Sequence, residues 1–262
     1  MNTIIRRSLI TVLFFSIGYL VNNTPAFATS LVDWDSTEGI HRLSESKVKQ
    51  DFFSLSPHFE GQENKVYCGV ASMTIVLNAL RVGKDEHIIA SDQSIIAQDE
   101  RVYFPQNGWS PLFNRYSQST VVALSPKSKL EIMGKPSKDG GNDYGLSLSN
   151  LSGLATNHGL ITQVFFANNL QDKTQQKAAL ISTLSAPHKY AIINYSRVVL
   201  NQAGSGHFSP VVAYDKDSDS FLIMDVSNTF QTWVWVESDA LFNAMAKKDK
   251  DTSRGFVILS EA

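Results

Sequence analysis

Four residues of the sequence have types and spacing suited to acyl transfer through a cysteine: Gln62, Cys68, His207 and Asp225. Cys68 is the only cysteine among the 262 residues, and it opens a stretch whose apolar residues recur at helical spacing. The start of a helix and a nearby imidazolium both lower the pKa of a thiol, and the resulting thiolate is the reactive nucleophile. The sequence therefore predicts a nucleophile at Cys68.

The other three residues can supply what a thiolate nucleophile needs. His207 lies 139 residues after Cys68, within the separation of about 130 to 150 residues found in papain-type proteases, and is the predicted general base. Asp225 can orient the imidazole and fix its tautomer. Gln62 precedes Cys68 by six residues, and its amide can join the backbone N–H of the nucleophile in an oxyanion hole.

Each of these residues taken alone also has an ordinary structural interpretation. A cysteine at the head of an apolar helix is commonly a small core residue, and a histidine on a strand is commonly a hydrogen-bond partner. Asp225 can close a turn, and Gln62 can be one exposed amide among many. The order and spacing of all four together favour catalysis.

An α+β arrangement is predicted to bring these residues together. The most regular helix runs over 68–82, with Gly83 where a helix end favours glycine. His207 begins a strand over 207–214, and a polar connection at 215–220 leads to a strand over 221–226 that places Asp225 near it. Further helices are predicted over 44–53, 147–158, 174–184 and 238–246, and further strands over 161–167, 190–195, 232–236 and 255–260. A helical first half and a mostly antiparallel second half define this fold class.

The chain divides into an N-terminal leader and one folded domain. Residues 1–28 contain Arg6 and Arg7, an apolar run of about 14 residues and an Ala-Phe-Ala ending, which is the pattern of an export signal. We expect cleavage after Ala28 and a periplasmic or secreted protein without a stable membrane span. An uncleaved anchor is the alternative, although the run is shorter than the roughly 20 residues of a transmembrane helix. Residues 29–262 form the predicted catalytic domain, with a variable insertion at 84–145.

Composition narrows the classes of partner. The chain has 43% apolar residues, 18% charged residues and a formal charge of -2, which gives no cationic excess for nucleic acid. One cysteine makes neither an internal disulfide nor a cysteine-rich zinc site. Asp215, Asp217 and Asp219 imitate a calcium loop but lack its glycine and glutamate, and the histidines form no metal-binding motif. We expect no metal held by the protein and no tightly bound cofactor.

The segments around these residues resemble the phytochelatin synthases, most closely their short prokaryotic form. The similarity is carried by YCGVAS at 67–72, VLNAL at 76–80, GHFSP at 206–210 and MDV at 224–226. Upstream of the histidine, a spaced run also matches the family: Arg197, Leu200, Gln202, Gly204 and Gly206. SRGF at 253–256 is similar to the family's closing strand. The similar regions cover 45–83 and 145–260, and the insertion between them matches poorly.

The resemblance implies a papain-like fold and a glutathione γ-glutamylcysteinyltransferase or hydrolase. In that family a cysteine attacks the Cys-Gly bond of glutathione, glycine leaves, and water or a second glutathione resolves the acyl-enzyme. The expected partners are glutathione and its complexes with cadmium or zinc, in which the metal enters as a glutathione thiolate. A homodimer is left open.

Residue by residue, the resemblance implies a role for each matching position. It gives Cys68 as nucleophile, His207 as acid and base, Asp225 as the orienting group and Gln62 as oxyanion donor. It gives Arg254 as the group that holds a substrate carboxylate, and adds as substrate-binding residues Gly69, Gly206 and Arg197.

One departure from the family concerns the segment after Asp225. Members often carry a basic and aromatic run with two prolines there, whereas this chain has SNTFQTW at 227–233. If that surface receives the second glutathione, hydrolysis is expected to dominate over transfer. Two alternatives stay open: a secreted papain-like peptidase acting on other small peptides, and a non-catalytic thiol or metal-binding module of the cell envelope.

Overall fold

The computed structural model describes residues 31–84, 89, 91–104, 112–134, 143–168, 172–227, 231–249 and 252–262. The predicted export signal at 1–28 lies outside these residues. Within the described ranges, no helix combines the length and apolarity needed to cross a membrane.

An antiparallel sheet of seven strands forms the centre of the described structure. In chain order its strands are β1 (Val32–Asp33), β2 (Ile161–Phe166), β3 (Lys189–Ser196), β4 (Gly206–Asp215), β5 (Ser220–Ile223), β6 (Val234–Glu237) and β9 (Gly255–Ser260). Their spatial order is β1-β6-β5-β4-β3-β9-β2, and β7 (Lys248–Asp249) and β8 (Thr252–Ser253) form a separate small hairpin. Strands β3 and β4, which carry the site, therefore lie in the middle of the sheet.

Helices cover both faces of this sheet. Those in the described ranges are α1 (Thr37–Glu45), α2 (Gln50–Leu55), α3 (Cys68–Arg81), α4 (Gln118–Val122), α5 (Lys129–Ile132), α6 (Leu148–Asn157), α7 (Lys173–Leu184) and α8 (Ser238–Met245). Ile192 of β3 packs in the core that contains α3 and α6, whereas its neighbour Ile193 packs in the core that contains α7 and α8. Successive side chains of a strand point to opposite faces, so the central strands bury apolar side chains on both faces.

Helix α3 is the element that positions Cys68. Its apolar residues lie on all sides, and every residue of the helix except Ala79 is buried. The helix ends at Arg81, and Gly83 follows with a φ of 75°, a conformation that glycine adopts without strain. The helix packs against β4, so that its first residue lies beside the first residues of that strand. The predicted helix over 68–82 is confirmed.

Most of the predicted elements are confirmed to within a few residues, but the helix expected over 44–53 is wrong. The chain forms α1 and α2 there, with a break between them. The hydroxyl of Ser46 donates to the carbonyl of Tyr214 at 2.6 Å, and Val48 forms an isolated antiparallel bridge with the same residue. This pairing with the end of β4 draws the backbone out of the helix. The strand expected over 221–226 also ends early, at Ile223.

The predicted insertion at 84–145 is attached to the core where it is described. Asn78 of α3 donates through Nδ2 to the carbonyl of Tyr116 at 3.0 Å and accepts from its backbone N–H at 2.8 Å. Val121 and Ile132 are buried in the same apolar cluster as α3. At the end of the segment, Tyr144 lies beside Cys68 in a cleft, so this region helps to shape the site.

Candidate active site

Cys68 lies at the first position of α3 with its sulfur against His207. The residue is 9% exposed, and its sulfur shares a hydrogen bond with the His207 ring. The backbone N–H groups of Phe208 and Gly69 also donate to the sulfur. A thiolate at this position is therefore surrounded by hydrogen-bond donors from the helix and from β4.

The pKa values of this pair are displaced in opposite directions. Burial alone would raise the pKa of the Cys68 thiol, but the hydrogen bond and charge of His207 outweigh it, and the pKa lies below its usual value. Burial alone would lower the pKa of His207, but its hydrogen bonds to Asp225 and Cys68 raise it above its usual value. Both shifts favour transfer of the thiol proton to the imidazole.

Asp225 completes the triad from the residues that follow β5. Nε2 of His207 lies 3.0 Å from Oδ1 of Asp225, which leaves Nδ1 of the ring for the sulfur. Asp225 is fully buried, and its carboxylate also accepts the backbone N–H of Ser227 at 2.8 Å. Burial would raise the pKa of Asp225, but its contacts with His207 and Arg197 outweigh this and lower it. The carboxylate therefore stays ionised and fixes the ring.

Two further residues hold the carboxylate of Asp225. Nη2 of Arg197 donates to both of its oxygens, at 2.8 and 2.6 Å, and the Tyr195 hydroxyl donates at 3.2 Å. The Tyr195 ring meets the His207 ring edge to face, with centroids 5.8 Å apart. The resemblance implied that Arg197 binds substrate. In the structure its Nη2 bonds Asp225 of the triad, while its buried Nη1 has no partner among the described residues.

Gln62 lies beside the triad and lines the same cavity as His207. Its backbone N–H donates to the carbonyl of Val226 at 2.8 Å, which ties the segment before α3 to the segment after β5. Its Nε2 donates one hydrogen to the carbonyl of Asn64 at 2.7 Å and keeps a second hydrogen. The N–H groups in the first turn of a helix have no acceptor within the helix, so the N–H of Cys68 can act with this amide as an oxyanion hole.

A cleft of ≈ 170 Å³ opens at Cys68 and contains three polar side chains that face one another. Nη2 of Arg254 lies 3.5 Å from Oδ1 of Asp249, and Nδ2 of Asn194 donates to the other carboxylate oxygen of Asp249 at 3.4 Å. Arg254 Nη1 donates to the carbonyl of Lys247 at 3.2 Å, while its buried Nε has no partner among the described residues. The cleft thus offers a cation, an anion and an amide close to the nucleophile.

The two glycines expected at the site have steric roles. A Cβ added to Gly206 would lie 2.8 Å from Nη2 of Arg254, so only glycine lets the guanidinium lie against the start of β4. A Cβ added to Gly69 would lie 3.2 Å from Cδ1 of Leu146 and 3.4 Å from the Phe208 ring. Gly206 therefore allows the position of Arg254, and Gly69 allows close packing under the sulfur.

A second cavity, of ≈ 300 Å³, lies beside His207. It is lined by Gln62, Arg197 and Ser227 and shares Lys65, Ser205 and Gly206 with the cleft at Cys68. Among the described residues, no group of three or more His, Cys, Asp or Glu side chains is arranged to hold a metal ion.

Sequence reasoning missed Tyr195, which bonds Asp225, and three residues that line the cavities: Asn194, Asp249 and Lys65. Tyr195 is paired with His207 in the register of β3 and β4, and Asn194 is paired with Phe208. The strand over 190–195 was predicted, but its register with the histidine strand depends on the turn at 197–205. Asp249 comes from the small β7–β8 hairpin, for which the sequence has no clear alternating pattern.

The helical half that carries the cysteine and the antiparallel sheet that carries the histidine and aspartate define a papain-like cysteine site. Comparison with known families is more specific: the chain belongs to the phytochelatin synthase family, whose model matches residues 23–256. The resemblance identified from the motifs is confirmed, and the predicted α+β class agrees with it.

Curated relatives of this chain are glutathione gamma-glutamylcysteinyltransferases. Enzyme 3 of Lotus japonicus is 26% identical over 88% of this chain and 42% of its own length. Enzyme 2 of Arabidopsis thaliana is 27% identical over 87% of this chain and 44% of its own length. The enzyme of Schizosaccharomyces pombe is 26% identical over 84% of this chain and 45% of its own length. The chain thus spans less than half the length of the curated relatives it matches.

Proposed function

We propose that this protein cleaves glutathione by acyl transfer through Cys68 and is a glutathione γ-glutamylcysteinyltransferase or hydrolase. The observation that carries the proposal is the continuous contact from Cys68 through His207 to Asp225 at the mouth of a cleft with a matched cation and anion. The names of the relatives support the substrate, and the fold supports the chemistry.

The reaction begins with the sulfur. The thiolate attacks the carbonyl carbon of the Cys-Gly bond, and the oxygen takes negative charge beside the N–H of Cys68 and the amide of Gln62. The C–N bond then breaks, His207 gives its proton to the leaving amine, and glycine departs. A γ-glutamylcysteinyl thioester remains on Cys68. Water or the amino group of a second glutathione attacks it, gives up a proton to His207 and regenerates the thiolate.

The cleft at Cys68 suits the γ-glutamyl end of the donor. That end carries an α-carboxylate and an α-ammonium group on one carbon. The Arg254 guanidinium can bind the carboxylate, and Asp249 can bind the ammonium. Asn194 holds Asp249 in place from β3. An α-linked glutamyl peptide presents these charges at a different distance from the scissile bond, so the clamp favours the γ linkage.

Metal enters this proposal as part of the substrate. We propose that cadmium or zinc is carried by glutathione thiolates and that such complexes serve as acceptors. The segment after Asp225 has neither the prolines nor the arginine of the family's run, so water is the proposed main acceptor. We also propose that the predicted signal at 1–28 delivers the protein to the periplasm or the cell exterior.

The direct test is product analysis with glutathione. The full chain is incubated with glutathione, with and without cadmium, and glycine, γ-Glu-Cys and longer products are followed by mass spectrometry. We expect glycine release that is absent in a Cys68→Ser control and much slower with α-Glu-Cys-Gly. Release at the same rate from both peptides would point instead to a general small-peptide peptidase, and stoichiometric cadmium binding without turnover would point to a binding module.

A further inference from the structure

An unpaired lysine lies between the two cavities of the site. Lys65 is the third residue before Cys68 and stands in a turn that is fixed by Asn64, whose Oδ1 accepts the N–H of Val66 at 3.0 Å. Its side chain is exposed and makes no hydrogen bond or ion pair with any other described residue. It lines both the cleft at Cys68 and the cavity beside His207. Its ammonium is therefore free to bind a ligand.

The cavity beside His207 lies where the leaving group must depart. The leaving amine takes its proton from His207, so glycine lies on the histidine side of the sulfur while the γ-glutamyl end lies toward Arg254. No acidic side chain is among the residues described as lining this cavity, and Asp225 behind it is neutralised by Arg197. Arg197 also lines this cavity, and its buried Nη1 has no hydrogen-bond partner among the described residues, so it is a donor left for a ligand. The electrostatics of the cavity favour an anion.

The leaving glycine and an acceptor glutathione each carry an α-carboxylate at the same position relative to the reacting nitrogen. Glycine has its carboxylate one carbon away from the nitrogen that leaves. A second glutathione attacks with its α-amino group, which also has a carboxylate one carbon away. Because the two nitrogens occupy the same position relative to the thioester carbon, one cation can bind both carboxylates.

We propose that Lys65 binds the α-carboxylate of the departing glycine and then that of an α-amino-acid acceptor, in the cavity beside His207. This assignment rests on the proposed cleavage of glutathione and makes Lys65 a specificity residue on the acceptor side. It predicts that the enzyme distinguishes a free carboxylate from a neutral amide at this position.

The first test compares two donors that differ in one group. Glutathione and its C-terminal amide, γ-Glu-Cys-glycinamide, are assayed with the full chain, with Lys65→Gln and with the charge-preserving Lys65→Arg. We expect the wild type to prefer glutathione in kcat/KM by about tenfold, the usual effect of one charge-assisted hydrogen bond. In Lys65→Gln this ratio should fall toward one, and in Lys65→Arg it should largely return.

A matched control is Lys216→Gln, which removes the same charge from the exposed turn at the far end of β4, about 30 Å from His207. It should keep the wild-type preference. If Lys65→Gln lowers kcat/KM for both donors by the same factor, or leaves the preference intact, Lys65 does not bind the carboxylate. If the wild type releases neither glycine nor glycinamide above the Cys68→Ser background, the proposed function fails and the role of Lys65 fails with it.

The second test follows the acceptor. Isotope-labelled glycine is added during turnover, and its incorporation into glutathione reports attack of an amino acid on the acyl-enzyme. We expect incorporation by the wild type to exceed that of labelled glycinamide, and Lys65→Gln to lose this difference. Equal use of the two amines by the wild type would contradict a carboxylate anchor on the acceptor side.

Discussion

Nη2 of Arg197 bonds both carboxylate oxygens of Asp225, at 2.8 and 2.6 Å, while Nε2 of His207 lies 3.0 Å from one of them. Asp225 is fully buried, so this second cation is what allows the carboxylate to remain charged behind the imidazole. The geometry of the candidate triad thus depends on an ion pair, Arg197 with Asp225, that does not touch the sulfur.

Replacing Arg197 with methionine should destabilise the folded protein and lower its turnover rate. Removing one partner of a buried ion pair costs about 3 to 5 kcal/mol, because the other charge is left without compensation. We expect the free energy of unfolding in urea to fall by that order and kcat to fall more than KM rises, since Arg197 acts through Asp225. The exposed Arg101→Met is a control that should change neither. An unaltered kcat in Arg197→Met would show that Asp225 does not need this partner.

The Cys68 thiol should react with iodoacetamide at a pH below that of an ordinary cysteine. Burial would raise the pKa of this thiol, but the hydrogen bond and charge of His207 outweigh burial and lower it. Free cysteine ionises near about 8.5. In His207→Gln only the backbone N–H groups of Phe208 and Gly69 still oppose the effect of burial, so the midpoint of the alkylation-rate profile should move above the wild-type value. His41→Gln, on the exposed face of α1, should leave it in place. A profile that is the same in wild type and His207→Gln would rule out the ion pair.

The pH dependence of turnover should be bell-shaped. On the acid side activity falls as the Cys68 thiolate is protonated, and this limb lies below the usual thiol pKa. On the alkaline side activity falls as His207 loses its proton, and this limb lies above the usual imidazole pKa because of Asp225 and Cys68. The profile of kcat/KM for glutathione measures both limbs. A single rise with midpoint near the free-cysteine pKa would contradict the assignment.

Asp225→Asn should reduce kcat by up to about 10⁴-fold, because an amide does not stabilise the charged ring or fix its tautomer in the same way. It should also lower the stability of the protein, because the buried Arg197 loses its anionic partner. Circular dichroism and thermal unfolding check that the variant is folded. Asp217→Asn, in the exposed turn after β4, is the matched control. Turnover at the wild-type rate in Asp225→Asn would remove Asp225 from the triad.

Asp51 should make the protein less stable as pH rises from about 4 to about 8. This residue in the first turn of α2 is buried, its Oδ2 has no partner among the described residues, and burial raises its pKa from 3.8 to about 8. The folded state therefore keeps a proton that the unfolded chain releases over this window, and stability declines across it. Asp51→Asn should flatten this decline and raise Tm at pH 8. A decline of the same size in both proteins would mean that other groups cause it.

The residues of the candidate triad could be placed together from the sequence, because the chemistry proposed for them restricts both residue type and order along the chain. Few triads can be built from this sequence, because it has one cysteine, one distant histidine that begins a strand and one aspartate that follows the next strand. Arg197 was recognised through the resemblance, but its bond to Asp225 depends on how the turn at 197–205 folds back on β3. Lys65 and Asp249 are ordinary charged residues in the sequence, and only the packing of the turn and the small hairpin around the cleft distinguishes them.

The elements that were predicted well are those with long apolar periodicity, such as α3 and β4. The helix expected over 44–53 failed because Ser46 and Val48 bond to Tyr214, a contact more than 160 residues away in sequence. The periodicity of apolar residues within a segment contains no information about a partner so distant in the sequence. The same limit applies to the end of β5, since Asp225 leaves the strand to meet Arg197 and the N–H of Ser227.

Because the chain's sole sulfhydryl meets its imidazole only when α3 docks on β4, the thiol is also a built-in reporter of tertiary structure. Rapid alkylation at mildly acidic pH requires the docked state. A denaturant titration read by alkylation at fixed pH would therefore follow the separation of the helical half from the sheet without any added label.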